Sequence, residues 1–194
     1  MSLFGTVLLL RNRTFGGRAK LNWYYFFLGA AFLLLEVQTV SRATLLFGMT
    51  WMVNVIVISA VLGMILLANL VAACWPKWPV WIVYAELLAT IAALVLVPLD
   101  SFNLLTGTMK LVAASTFLTA PAFFAGLIFI QSFAVCTTKS QALGSNLIGA
   151  LVGGLLQSLS FVTGIRSLIV LGGIFYLMVF WLRPRAGRRC NVAA

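Results

Sequence analysis

The chain has 194 residues, of which 63% are hydrophobic and only 8% are charged, with three acids and no histidine. A soluble domain carries about 25% charged residues, so this composition excludes an ordinary soluble protein. The net charge of +10 does not indicate a nucleic-acid partner, because the basic residues collect at the two chain ends instead of forming a patch interleaved with aromatics.

Long apolar stretches predict an all-α integral membrane protein, a bundle of about six transmembrane helices. The predicted spans are residues 21–40, 50–74, 78–97, 110–134, 142–162 and 167–182. Trp23, Tyr24 and Tyr25 begin the first span and are typical of an aromatic belt at the membrane interface. Pro121 lies inside the fourth span, where the missing backbone donor predicts a kink.

The basic residues predict the orientation of this bundle. Residues 1–20 are interpreted as a basic cytoplasmic or interfacial segment, 21–182 as the transmembrane domain and 183–194 as a basic cytoplasmic tail. With both termini inside, three basic residues lie outside, namely Arg42, Lys110 and Arg166, and ten lie inside, namely Arg11, Arg13, Arg18, Lys20, Lys77, Lys139, Arg183, Arg185, Arg188 and Arg189. This asymmetry follows the positive-inside rule and predicts the bacterial cytoplasmic membrane, with anionic lipid as a partner of the basic ends.

Several polar residues fall inside the predicted spans and form a candidate intramembrane polar site. Glu36, Asn54 and Gln157 are expected at a similar depth in the outer half, and Glu86 lies near the middle of the third span. Arg42 is expected beyond the first span, within reach of Glu36. The alternative is that the amides, with Asn69 and Asn146 in a second layer, only make hydrogen bonds between helices.

The fifth span carries a ridge of small residues. Ser145, Gly149 and Gly153 recur every four residues, with Gly154 adjacent. Such a ridge lets a neighbouring backbone approach closely. We expect close packing within the bundle, or alternatively the face of a homo-oligomer.

Chemistry-bearing motifs are missing from the sequence. It has no glycine-rich phosphate loop after a strand, no histidine, and no group of cysteines and acids suited to nucleophilic catalysis or metal binding. We therefore predict no catalytic residue, no metal and no cofactor.

Several motifs resemble the membrane-spanning region of bacterial spermidine synthase-like proteins. They are LLE ending at Glu36, LLFGxTWxVN at 45–54, LLAN ending at Asn69, FFAGLIF at 123–129 and ALGSNLIGALVGGLLQ at 142–157. In that family a soluble aminopropyltransferase-type domain is fused to transporter-like membrane segments. The nucleotide-type fold of that domain is absent from these 194 residues, and Gln157 stands where the family often has a glutamate, so the resemblance implies a membrane module without the transferase activity.

Three functions are compatible with these observations. The first is a non-catalytic membrane subunit that packs with or anchors partner proteins in a larger complex. The second is a small-solute or ion carrier, or half of one, that uses the polar layer around Glu36. The third, implied by the resemblance alone, is the membrane half of a spermidine synthase-like transferase.

Overall fold

The structure is a computed structural model that describes residues 21–48, 51–74, 79–104 and 107–183, except for the side chains of residues 99, 100, 103, 165 and 166. Over these ranges the chain is helical and contains no strand. The helices are α1 (Trp23–Phe47), α2 (Trp51–Cys74), α3 (Val80–Leu96), α4 (Gly107–Ala134), α5 (Lys139–Leu156) and α6 (Ile165–Leu182). A 3-10 helix, Leu99–Leu104, precedes α4, and α5 continues through a 3-10 turn, Gln157–Leu159, into one α-turn, Ser160–Thr163.

Four of these helices are long and apolar enough to cross a membrane, namely α1, α2, α4 and α5 with its extension to Thr163. The apolar helices α3 and α6 are shorter. The all-helical class predicted from composition is therefore confirmed, with four helices compatible with membrane insertion.

The first helix is longer than the predicted span 21–40, because no helix-breaking residue occurs before Gly48. At its start, the Asn22 side chain accepts a hydrogen bond from the backbone N–H of Tyr24 at 3.2 Å, which caps the first turn. At its end, Gly48 adopts a φ of 88°, a conformation that glycine reaches without strain. Its N–H donates to the carbonyl of Thr44 at 2.9 Å.

The centre of the bundle is formed by α1 and α4. Helix α1 packs most extensively against α5 and α6, and α4 packs against α2 and α3. Leu28 and Leu34 of α1, Leu118 and Ile128 of α4 and Ile169 of α6 are almost completely buried. In contrast, α2 is exposed along most of its length, and α5 buries only Ala142, Ser145, Gly149 and Gly153, as expected of helices that face lipid or other proteins.

Most of the basic residues used to predict orientation lie outside the described residues. Arg183, half-buried at the end of α6, is the member of the basic tail that the structure describes. The residues predicted to contact the membrane surface that lie outside the described ranges are Arg11, Arg13, Arg18, Lys20, Arg185, Arg188 and Arg189.

Candidate functional site

The residues proposed for an outer polar layer do not meet in the interior of the bundle. Glu36 is half-buried on α1. Asn54 is exposed near the start of α2, and Gln157 is exposed in the 3-10 turn that follows α5. Glu86 is exposed on α3. Asn54, Glu86 and Gln157 therefore face outward from three different parts of the surface.

The polar residues that α1 does bury are Gln38, Thr39 and Arg42, with exposures of 1%, 6% and 6%. Thr39 Oγ1 donates to the carbonyls of Leu35, at 2.8 Å, and of Leu118 on α4, at 3.1 Å. Of these three, Arg42 belongs to the polar site predicted from the sequence, whereas Gln38 and Thr39 do not. The i, i+4 spacing of Gln38 and Arg42 was the available signal, since it places both on one face of a helix.

The structure corrects the expected position of Arg42. It lies within α1, buried between helices, and not in an outer loop beyond the first span. Its Nη1 donates to the carbonyl of Leu94, in the last turn of α3. In a continuing helix that carbonyl would accept from the N–H of residue 98, but residue 98 is proline and has none. Arg42 thus supplies the donor that Pro98 lacks, and its positive charge lies at the negative end of the α3 dipole.

The small-residue ridge of α5 lies against α1. A Cβ atom on Gly149 would be 1.9 Å from the carbonyl oxygen of Phe26, and one on Gly153 would be 2.6 Å from that of Ala30. The contact is reciprocal, because a Cβ on Gly29 of α1 would be 2.1 Å from the carbonyl oxygen of Asn146. The two backbones are therefore in contact, which only glycine permits at this distance.

The remaining members of the ridge have different contacts. Ser145 Oγ accepts a hydrogen bond of 2.9 Å from the backbone N–H of Asn22 at the start of α1. Gly154 faces the Leu33 side chain, which a Cβ would meet at 3.1 Å. Pro121 lies buried inside the continuous helix α4. The kink at Pro121 stays a prediction.

A buried tyrosine cluster joins three helices near the end of the bundle where α1 begins. The hydroxyl of Tyr24 lies 3.1 Å from that of Tyr84 on α3 and 2.5 Å from Oγ of Ser132 on α4. The Tyr25 hydroxyl donates to the Ser132 carbonyl at 2.9 Å. Tyr24 and Tyr25 therefore belong to the core, since both are at most 5% exposed, whereas Trp23 is exposed. The location of all three at the membrane interface stays a prediction. The helical turn of about 100° between neighbours separates Trp23 from them.

Two matched substitutions test the tyrosine cluster. Tyr24→Phe removes a hydroxyl that contacts Tyr84 and Ser132, and we expect it to lower the free energy of unfolding by about 1–2 kcal/mol. Tyr176→Phe removes a buried hydroxyl that has no hydrogen-bond partner among the described residues, so we expect no loss of stability. Melting temperatures of the purified variants provide the measurement. Equal losses in both variants would contradict the assignment.

One face of α3 combines small side chains with a carboxyl group. Ala85, Ala89 and Ala92 are exposed on this helix, and Glu86 is exposed beside them. The opposite face of α3 holds Val83, Leu87 and Ile91 in the core. We call the exposed residues 85, 86, 89 and 92 the α3 outer face. It presents small side chains at helical spacing beside one exposed acid.

Comparisons with protein-family models, with curated proteins and with solved structures found no match. Within the described ranges, no three His, Cys, Asp or Glu side chains come together in a way that could hold a metal ion.

Proposed function

We propose that this chain is a non-catalytic, polytopic subunit of a membrane complex, and that it binds a partner helix through the α3 outer face. The six helices α1 to α6 cross the bacterial cytoplasmic membrane, with both termini on the cytoplasmic side. Two considerations support six spans. Helices α3 and α6 have 17 and 18 residues, within the range that crosses a bilayer. The basic residues other than Arg42, which is buried within α1, divide ten to two between the two sides.

The observation that carries the proposal is the exposure of Glu86. Counted from the start of α3 at Val80, it lies roughly 9 Å into the helix at 1.5 Å per residue. At this depth an exposed carboxyl would face hydrocarbon, where ionisable groups are costly. A protein partner removes that cost by offering a hydrogen bond or an opposite charge.

The neighbouring alanines define the partner further. Ala85 and Ala89 have the small-xxx-small spacing that lets two transmembrane helices approach closely. The matching partner is a transmembrane helix with its own small residues and with a side chain that donates a hydrogen bond to Glu86. An aminopropyltransferase-type domain attached to such a transmembrane helix is one partner compatible with the spermidine synthase-like resemblance.

The test combines a bulky substitution with a matched control. We expect the native protein, extracted in a mild detergent, to migrate as a complex. Ala89→Trp blocks the close approach of the partner helix, and Glu86→Leu removes the carboxyl that accepts its hydrogen bond. Each should reduce partner recovery at least about tenfold. Leu66→Trp is the control, since Leu66 is 62% exposed on α2 at a similar depth.

Three results would contradict this proposal. The first is a native chain that purifies without a partner as a monodisperse monomer. The second is a complex that Ala89→Trp leaves intact. The third is a complex that Leu66→Trp disrupts as strongly.

A carrier that uses the polar layer around Glu36 has less support. It requires Glu36, Asn54 and Gln157 to border one interior path, whereas Asn54 and Gln157 are exposed on the outside of the bundle.

A further inference from the structure

Helix α2 lies at the periphery of the bundle and contacts it along one side. It packs against α4 and, less extensively, against α1. Its buried residues are Val53, Val57, Val61 and Ala68, which lie within an arc of about 80° around the helix at 100° per residue. The opposite side of α2 therefore faces away from the bundle.

The side of α2 that faces away carries a heptad repeat. Seven exposed residues follow one another at alternating intervals of three and four, namely Met52, Val55, Ser59, Leu62, Leu66, Asn69 and Ala73. We call these seven residues the α2 seam. Its centre lies roughly 160° around the helix from the centre of the buried arc. Intervals of three and four are the spacing of the a and d positions of a left-handed coiled coil, a packing that transmembrane helices also commonly adopt.

Two residues of the α2 seam are polar, Ser59 and Asn69. Counted from Trp51, they lie roughly 12 and 27 Å along the helix at 1.5 Å per residue. A helix of 24 residues is about 36 Å long, so both residues lie inside a hydrocarbon core of about 30 Å when the helix is centred on it. Asn69 Nδ2 donates to the carbonyl of Ile65 at 3.0 Å, and its Oδ1 accepts no hydrogen bond from a described residue. One N–H and the oxygen of this carboxamide therefore remain for a partner.

These two polar residues indicate what covers the α2 seam. Lipid chains offer Ser59 and Asn69 no hydrogen bond, whereas a helix with polar groups at the same two levels does. A hydroxyl and a carboxamide each contain both a donor and an acceptor, so each can pair with a copy of itself. Two copies of one chain cross the bilayer in the same direction, and a two-fold axis along the membrane normal then brings each seam residue opposite its own counterpart.

We propose that the α2 seam is a homodimer interface, which packs against the α2 seam of a second copy of this chain with the two Asn69 carboxamides hydrogen-bonded to each other. Leu62 and Leu66 form the apolar centre of the interface, between the Ser59 pair and the Asn69 pair. A single polar residue in such a seam fixes the register and the number of helices. The interface lies on a different helix from the α3 outer face, so the dimer and the partner complex form independently.

Disulfide crosslinking in native membranes tests the pairing. Leu62→Cys and Leu66→Cys are introduced one at a time into the full-length chain, and forms with tags of two lengths are co-expressed. In this background the native cysteines are replaced by alanine, namely Cys74, Cys136 and Cys190. We expect mild oxidation to give a crosslinked product that includes the hybrid of the two tag lengths. Leu67→Cys is the matched control, since Leu67 is 48% exposed on the same helix but outside the α2 seam, and its crosslinking should be at least about tenfold lower because its two copies are too far apart for a disulfide.

The dissociation constant of the purified dimer in detergent measures the individual contacts. Asn69→Leu should raise it about tenfold, the effect of an interhelical hydrogen bond between model transmembrane helices. Leu66→Trp overfills the α2 seam and should raise it at least about tenfold, whereas Leu67→Trp should leave it unchanged. Ala89→Trp on the α3 outer face should also leave the dimer unchanged, which distinguishes this proposal from that of the partner helix.

The proposal is overturned if Leu62→Cys and Leu66→Cys give no hybrid product, or if Leu67→Cys crosslinks equally, which indicates random collision. A crosslink to a different protein in place of the second copy also overturns it, because the occupant is then a foreign helix. An unchanged dissociation constant in Asn69→Leu contradicts the carboxamide pair. If Leu66→Trp fails to fold, the crosslinking pattern decides, because replacing an exposed leucine by cysteine adds no volume.

Discussion

Gly149→Ala is expected to separate α1 from α5 and to lower the free energy of unfolding by about 3 kcal/mol or more. The added methyl group would lie 1.9 Å from the carbonyl oxygen of Phe26 and 2.7 Å from its carbonyl carbon. Both are backbone atoms in the interior of α1, so the methyl group cannot be accommodated by a side-chain movement. Either the helices move apart along their whole contact or the bundle does not assemble.

A series of single-methyl additions along the same helix provides the controls. We expect the loss of stability to decrease from Gly149→Ala to Gly153→Ala, whose new methyl meets Ala30 backbone at 2.6 Å, and further to Gly154→Ala, which meets only the flexible Leu33 side chain at 3.1 Å. Gly144→Ala has nothing within 4 Å of the new methyl and should be neutral or stabilising by up to about 1 kcal/mol, because alanine favours a helix over glycine.

Melting temperature and the fraction of monodisperse protein after heating measure this order. If Gly149→Ala and Gly144→Ala have the same melting temperature, the close approach of α1 and α5 is incorrect.

Arg42→Met is expected to lower the free energy of unfolding by about 2–3 kcal/mol, the contribution of a hydrogen bond from a charged donor. Methionine fills a similar volume, but the Leu94 carbonyl then loses the donor that it receives from Arg42. The matched control is Lys110→Met on α4. Lys110 is half-buried, with its Nζ 5.8 Å from the centre of the Phe47 ring, and its replacement should cost under about 1 kcal/mol.

A double-mutant cycle tests whether Arg42 compensates for Pro98. Pro98→Ala restores a backbone N–H four residues after Leu94. This N–H reaches the Leu94 carbonyl when Val97, which is extended in the native structure, becomes helical and lengthens α3. We expect Pro98→Ala to recover at least about 1 kcal/mol in the Arg42→Met background, a coupling typical of neighbouring residues. Strictly additive effects would show that Arg42 stabilises the bundle by other contacts.

These two contacts determine which surfaces remain free for partners. The glycine contact holds α5 against α1, and Arg42 links α1 to the end of α3. With α3 held by its inner face, its alanines and Glu86 stay on the outside, where the proposed partner helix binds.

The sequence alone determined the helical class and most element positions. Long apolar runs interrupted by Gly48, Pro79, Pro98 and Gly164 permit few arrangements other than helices with these breaks. The small residues of α5 also predicted a close helix contact, because spacing by four places them on one face. That their partner is α1, through Gly29, depends on two segments more than 100 residues apart, which no local pattern encodes.

Tertiary structure alone decided which polar groups are interior. Glu36 and Gln38 are two residues apart and therefore lie about 200° apart around the helix. The sequence does not show which of these two sides faces the core. The same holds for Tyr24, which joins a buried cluster, beside Trp23, which stays exposed. The charge pattern and the hydropathy of the sequence indicate that a segment is an apolar helix, but they do not indicate which side of that helix faces the core. Only the packing of neighbouring helices determines that Asn54 and Glu86 face outward, that Arg42 caps α3 and that Tyr176 is buried.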